Sequence, residues 1–360
     1  MWFWKSGRDS GPRDRKLNWY NPLMLQAGII GLPNVGKSTL FNALLRRQQA
    51  MVANYPFATI EPNVGIIPVP DERLTKLQEV IGPGTPIVPA TVQFVDIAGL
   101  VKGAAEGAGL GNKFLAHIRE VDLICEVVRA FPDSDVIREG STEPKSDMEI
   151  INTELILADL QTLEKSKEKS VNLEALKQKL DRGELAGEAG KEFQLLTAKK
   201  FVYIFNVNTA SEWEGLQETV NSLRSEGKSV VVVDAKLEAE LAVLSPDEQE
   251  EYLESLGVTD SGVNALIREA YSALDLISFL TAGEKEVRAW PIPKGTKAPQ
   301  AAGTIHTDFE KNFIKADVVS FEEFIKNNGW KMARENGKVR SEGRDYTMAD
   351  GDVVEFRVNV

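Results

Sequence analysis

Gly31-Leu32-Pro33-Asn34-Val35-Gly36-Lys37-Ser38-Thr39 is the stretch on which the reading of this chain turns. It follows a short apolar run at residues 25–31 and precedes apolar-periodic residues 40–48. It therefore lies between an expected buried strand and an expected helix. The pattern G-x-x-x-x-G-K-[ST] in that context is a phosphate-binding loop. Gly36 lets the backbone curl so that successive N–H groups face phosphate oxygens, and the helix start behind it adds a positive dipole end. Lys37 is expected to reach the β- and γ-phosphates of a nucleotide, and Ser38 to ligate Mg²⁺. Asn34, Val35, Gly36, Lys37, Ser38 and Thr39 are thus the candidate phosphate-binding residues.

Downstream, an apolar strand at 92–95 runs into Asp96-Ile97-Ala98-Gly99. An Asp closing a strand after such a loop is expected to meet Mg²⁺ through a water on the metal. Gly99 is expected to give its N–H to the γ-phosphate, and the Gly-rich segment 99–111 reads as a mobile loop. Thr59, in the polar loop 54–63, is expected to place its hydroxyl on Mg²⁺ while the γ-phosphate is present. That arrangement is a switch, because hydrolysis releases the loop. Lys37 and Gly99 are the catalytic candidates here. Leu100 stands where many GTPases carry a Gln that orients the attacking water. Leu cannot do this, so either another group supplies the function or turnover is slow and stimulated by a partner.

The base is read further on. A strand at 201–205 leads into Asn206-Val207-Asn208-Thr209. Guanine-specific enzymes use Asn-Lys-x-Asp there, the Asp accepting from N1–H and the 2-amino group. Asn206 is retained, but position 209 has no carboxylate. Each unpaired guanine donor costs ~1–3 kcal/mol, so guanine preference should be poor and adenine acceptable. Asp234-Ala235-Lys236, after a strand at 230–233, is expected to close the base pocket with its backbone. Asn206, Val207 and Ala235 join the nucleotide-binding candidates.

Strands at 25–31, 92–95, 123–128, 201–205 and 230–233 alternating with helices imply a parallel α/β sheet with crossover helices. Residues 149–182 contain no Gly or Pro. Ile151, Leu155, Ile156, Leu160 and Leu163 recur at helical spacing, and Leu173, Leu176 and Leu180 repeat it after a break at Ser170-Val171-Asn172. Their alternating Lys and Glu neighbours predict an antiparallel helical hairpin projecting from the sheet. From about residue 278 the texture changes to strands at 287–292, 313–319 and 353–358, a helix at 321–328 and a turn at Asp350-Gly351-Asp352, a small α+β unit.

The 360 residues allow about two or three domains. A 42 % apolar and 27 % charged composition excludes global disorder, and no apolar run approaches the ~18 residues of a bilayer span. A single cysteine, Cys125, forms no internal disulfide and suits a reducing interior; it reads as a buried small apolar residue. Two histidines exclude a His-rich zinc site. His117 reads as structural or surface, and His306 is assigned no chemistry. A net charge of −12 argues against a nucleic-acid-coated protein, yet the charge is uneven. Residues 1–25 hold 5 basic and 2 acidic side chains, residues 26–277 hold 24 and 39, and residues 278–360 hold 13 of each. Residues 1–25 lack the apolar core of a secretory signal and read as a disordered extension or an upstream start, with Met24 the natural beginning. Lys326, Lys331, Arg334, Lys338, Arg340 and Arg344 cluster around Trp330. They form either a solvated face or an RNA contact.

Three runs together resemble one family. They are Gly31 to Ala43, Phe57 to Gly65 (with Thr59, Glu61 and Asn63) and Phe94 to Gly103, and Ala298 to Phe309 agrees with them. The chain from Met24 to Val360 resembles the YchF subfamily of the Obg-related P-loop GTPases. The resemblance implies a G domain (26–137 and 200–277), an inserted helical unit (138–199) and a C-terminal TGS domain of β-grasp type (278–360). It also implies hydrolysis of ATP at least as well as GTP with Mg²⁺, and a cytoplasmic protein. The implied partner is the ribosome, on its large subunit, met through the TGS and helical units, with ribosomal RNA contact by the six basic residues around Trp330. Three departures stand out. Thr209 replaces a usual Glu. Arg138 lies in a loop where members commonly carry a His thought to assist hydrolysis; it cannot act as a base, although it could stabilise phosphate charge. The helical insertion looks shorter than usual. Two other classes stay open on the residues: a non-catalytic nucleotide-sensing scaffold, and a small-molecule kinase, against which Thr59, Asp96, Gly99 and Asn206 argue.

Overall fold

The computed structural model describes residues 25–52, 63–97, 109–131, 144–166, 170–258 and 260–359. The loop 54–62, Gly99, Leu100 and Arg138 lie outside the described residues, as does Thr59 and the segment 1–24.

In chain order the first half runs β1 (Gln26–Gly31), α1 (Lys37–Val52), β2 (Val64–Pro68), α2 (Glu72–Ile81), β3 (Ile87–Val88), β4 (Thr91–Asp96), α3 (Gly109–Glu120), β5 (Leu123–Arg129), α4 (Pro144–Lys165) and α5 (Val171–Asp181). Two short 3₁₀ turns lead to β6 (Lys200–Asn206), α6 (Ala210–Ser225), β7 (Ser229–Val233), α7 (Ala235–Leu241), α8 (Pro246–Ser255) and α9 (Gly262–Ala273). The first sheet has the order β2-β4-β1-β5-β6-β7. β4, β1, β5, β6 and β7 run parallel, and β2 is antiparallel to β4. β1 sits between strands reached in opposite directions. The loop after it therefore opens at the carboxyl edge, where ligands of open α/β sheets bind. β5 is buried along its whole length, as a central parallel strand must be.

The fold differs from the sequence reading at four points. α1 begins at Lys37, so Lys37 and Ser38 are in its first turn; Leu40, Phe41 and Leu44 bury its inner face. Gly109 and Gly111 belong to α3, not to the Gly-rich loop. Burial of Phe114, Leu115 and Ile118 outweighs a propensity cost of about 1 kcal/mol per Gly. The sheet is mixed at its β2 edge. The expected projecting hairpin is only half a projection. α4 packs on β5 as the crossover to β6, with Ile151, Leu155 and Ala158 in the main core. Its other side, Ile156 and Leu163, meets Leu173, Leu176 and Leu180 of α5 in a separate apolar cluster.

The last part comprises β8 (Leu276–Ala282), β9 (Val287–Pro293), α10 (Ala298–Ile305), α11 (Thr307–Lys311), β10 (Phe313–Ser320), α12 (Phe321–Lys326), α13 (Trp330–Glu335), β11 (Arg340–Glu342) and β12 (Asp352–Val358). It builds a second sheet ordered β11-β10-β12-β8-β9-β3. This sheet starts at Leu276 and takes β3 from the first half, with Ile87 opposite Val287 and Val88 opposite Arg288. Among the described residues no helix is long and apolar enough to cross a membrane.

Candidate functional site

The site is built at the carboxyl ends of β1, β4, β6 and β7. At the end of β1, a Cβ on Gly31 would lie 2.7 Å from the Val127 carbonyl oxygen of β5. The loop then turns through Asn34 at φ +64° and Gly36 at φ +93°, the left-handed region that suits Gly. Leu40 N–H donates to the Gly36 carbonyl at 3.0 Å, which closes the first turn of α1. Val35 is buried and anchors the loop, whereas Ser38 and Thr39 are exposed on the first turn.

Lys37 and Asp96 come together: the ammonium of Lys37 donates to Asp96 Oδ1 in a largely buried ion pair. Asp96 is set there by backbone hydrogen bonds, its own N–H to Asn63 O at 2.9 Å and Ile97 N–H to Ile29 O at 3.1 Å. A cleft of about 150 Å³ runs from Asp96 and Asn63 to His117 and Glu120 of α3. His117 is an exposed residue in the wall of that cleft.

Asn206 is 3 % exposed and ties three elements together. Its Nδ2 donates to Val35 O at 3.0 Å, and its Oδ1 accepts from Ala235 N–H at 3.0 Å. A Cβ on Gly36 would meet Asn206 Nδ2 at 2.1 Å. The sequence pointed to Asn206 as a base contact; its role as a clamp between the phosphate loop and α7 was not legible. Ala235 N–H is engaged by that clamp. Asp234 caps α7, accepting from Lys236 and Leu237 N–H at 3.0 and 2.9 Å. Burial pushes its carboxyl above the usual range, and these two donors pull it back. Val207 is buried, and its N–H donates to Val233 O at 2.9 Å.

Thr209 is the N-cap of α6 in a reciprocal capping box with Glu212. Glu212 Oε2 accepts from Asn208 N–H at 2.7 Å and from Thr209 N–H at 3.2 Å. The signal was present as Thr209-x-x-Glu212, the spacing of a capping box. A buried acid also lies on β5. Glu126 is opposite Ile30 and Tyr203 in the sheet, and neither carboxylate oxygen has a hydrogen-bond partner among the described residues. Burial pushes this carboxyl well above the usual range, and the charge of Asp147 adds to the effect. Cys125, beside it, is buried and free.

Far along the chain, the basic cluster is mostly paired. Arg334 bonds Glu355 and lies over the Trp330 ring, with 5.1 Å to its centroid. Lys338 pairs with Glu323, and Arg340 with Glu342. Arg344 donates to Phe313 O. Lys326 and Lys331 have no ion pair among the described residues. His306 caps α11, its Nδ1 accepting from Asp308 N–H at 3.1 Å.

Residues 26–158 match a family model described as 50S ribosome-binding GTPase, and residues 276–359 match the YchF-GTPase_C model, described as a protein of unknown function (DUF933). The chain is 46 % identical to a Bacillus subtilis (strain 168) protein called ribosome-binding ATPase YchF, over 94 % of this chain and 100 % of that one. A protein of the same name from Escherichia coli O157:H7 is 46 % identical over 93 % of this chain and 99 % of its own. Among solved structures, the Schizosaccharomyces pombe YchF GTPase matches with a TM-score of 0.81 and 35 % identity, covering 93 % of this chain and 98 % of that one.

Proposed function

The chain belongs to the YchF family of P-loop nucleotide hydrolases, and from that premise we infer that it binds and hydrolyses ATP, takes GTP with little selectivity, and acts as a ribosome-associated switch. One observation carries the reading. Lys37 and Asp96 meet at the mouth of the β1 loop, while Asn206 braces that loop from the base side. Phosphate and base recognition thus share one rigid frame.

Within it, Asn34 to Thr39 bind the phosphates through backbone N–H groups, and Lys37 transfers from Asp96 to phosphate oxygens. The Ser38 hydroxyl, in the first turn of α1, is a hard oxygen donor that fits Mg²⁺, with the Asp96 carboxylate at the end of β4 reaching it through a bound water and Thr59 added on sequence grounds. Bound there, Mg²⁺ would neutralise charge between the β- and γ-phosphates. Gly99 N–H and Arg138 are assigned to transition-state charge. Leu100 offers no water-orienting group, so turnover without a partner is slow. Asn206, Val207 and Ala235 hold the base.

The relatives' printed names carry ribosome binding to this proposal. Contact is assigned to the C-terminal and helical units on the large subunit. Lys326 and Lys331 are the proposed first RNA contacts, because the four arginine and lysine neighbours are already engaged within the fold. The units are divided as 26–137 with 200–277, 138–199 and 278–360, and the protein is placed in the cytoplasm.

The test is titration of ATP, ADP, GTP and GDP with and without Mg²⁺, with phosphate release measured alone and with ribosomes. Release should vanish in Lys37→Ala. Binding without turnover under both conditions overturns the hydrolase, and tight, exclusive guanine binding overturns the base reading.

A further inference from the structure

We propose that Glu212 reads the base in place of the acid missing at position 209, offering one carboxylate oxygen to the 6-amino group of adenine. This rests on the base lying beside Asn206, as proposed above. Thr209-Ala210-Ser211-Glu212 starts α6, and a plain capping box explains only part of what is seen. Such a box needs the Glu carboxylate on the N-cap N–H. Here Glu212 Oε2 is closer to Asn208 N–H, at 2.7 Å, than to Thr209 N–H, at 3.2 Å. The carboxylate therefore reaches one residue past the cap, toward the Asn206 clamp. Thr209 Oγ1 accepts from Glu212 N–H at 3.3 Å and fixes the backbone from the other side. A negative charge is thus returned to the base-reading loop from the helix that follows it.

The stoichiometry sets the specificity. Oε2 serves two backbone donors, and Oε1 has no hydrogen bond among the described residues. The two parallel donors of a guanine edge address two oxygens side by side, so one open oxygen meets only one of them in line. Adenine presents one exocyclic amino group at its Watson–Crick edge, next to the N1 acceptor. Guanine presents two adjacent donors, N1–H and the 2-amino group, and needs both carboxylate oxygens. A one-oxygen acceptor leaves one guanine donor unpaired, so it discriminates for adenine without closing the pocket to guanine.

The experiment compares equilibrium binding of ATP, GTP and purine riboside triphosphate, which is ATP without its 6-amino group. Wild type, Glu212→Gln, Glu212→Ala and Glu212→Ala with Thr209→Glu are measured beside Lys37→Ala. Wild type should prefer ATP over the deamino analogue by about tenfold, the worth of one hydrogen bond to a charged acceptor. Glu212→Gln keeps an oxygen for the cap but presents a donor to the base. It should bring that ratio to within about twofold of unity, with the analogue's own affinity unchanged. Thr209→Glu should restore discrimination in the Glu212→Ala background. If ATP and the analogue weaken together, or the ratio persists in both Glu212 variants, Glu212 is only a helix cap and the proposal falls. If wild type binds none of the three, or binding survives Lys37→Ala, the nucleotide site itself is wrong.

Discussion

Gly36 and Asn206 form one unit although 170 positions separate them. At Gly36 the backbone is left-handed and the Asn206 amide fills the space a methyl would need. Gly36→Ala adds about 1–2 kcal/mol of left-handed strain to that collision. Nucleotide affinity should fall at least tenfold in a fluorescence titration, with a lower melting temperature. Asn206→Ala strands the Val35 carbonyl and the Ala235 N–H in a buried site, at roughly 1–3 kcal/mol each. It should destabilise the chain in urea unfolding and weaken ATP and GTP alike. Glu126 gives a pH prediction. Its carboxyl is held protonated in the folded protein above the range where the unfolded chain ionises. The native state then binds the extra proton, so stability is full at acid pH and falls as pH rises past about 4.5 toward the raised native value. The slope from this group is about −1.4 kcal/mol per pH unit. Glu126→Gln removes it. Unfolding free energies of the variant and wild type should diverge with rising pH, the variant being the more stable at neutral pH. Parallel curves would refute this assignment. Residue chemistry of this kind was partly legible: Lys37, Asp96 and Asn206 announce themselves by motif and strand position. The clamp and the buried acid do not, because both depend on neighbours distant in sequence.

Among the helices, α4 shows how burial overrides pattern. Its charged residues suggested a solvated arm, yet Glu154 and Asp159 are buried with its leucines. Asp159 ties α4 to the 3₁₀ turn before β6. Its carboxylate accepts from Leu196 N–H and Thr197 N–H, each at 2.8 Å, and from the Thr197 hydroxyl at 2.7 Å. Asp159→Ala leaves these three donors buried and should cost about 2–4 kcal/mol. Faster amide exchange confined to residues 185–199 and α5 is the expected readout; unchanged exchange there would show that the apolar cluster suffices. Periodicity found both helices because it is a property of the residues themselves. It could not say that α4 lies on β5, since an apolar stripe fits any complementary surface.

Across the molecule, the two sheets are joined by features a domain reading overlooks. β3 pairs with β9, and Arg73 at the start of α2 bonds both Asp71 and Asp350, each at 2.8 Å. Asp350 also receives Ser278 N–H at 2.8 Å, so the turn before β12 is tied to β8 and to α2 at once. Within the C-terminal unit, the Trp330 indole Nε1–H donates to Ala282 O at 3.1 Å and ties α13 to β8. Arg73→Ala should uncouple the C-terminal sheet, giving a second calorimetric transition or a lower single one by a few degrees, while Lys37-dependent nucleotide binding persists. Its partly buried position puts the loss at about 1–2 kcal/mol. A melting curve identical to wild type would place the coupling in β3 alone.

By itself the sequence determined that the chain carries a phosphate-binding loop, an Asp closing a later strand, and no carboxylate at position 209. Such recognition is local: a few consecutive N–H groups, one ammonium and one hydroxyl within nine residues leave a readable pattern. Tertiary structure alone decided that Asn206 braces the loop, that α4 is a crossover helix, and that a strand is lent from one sheet to the other. Each of these is a contact whose strength comes from burial and geometry at the meeting of separate elements. Residue identity permits such contacts without specifying them.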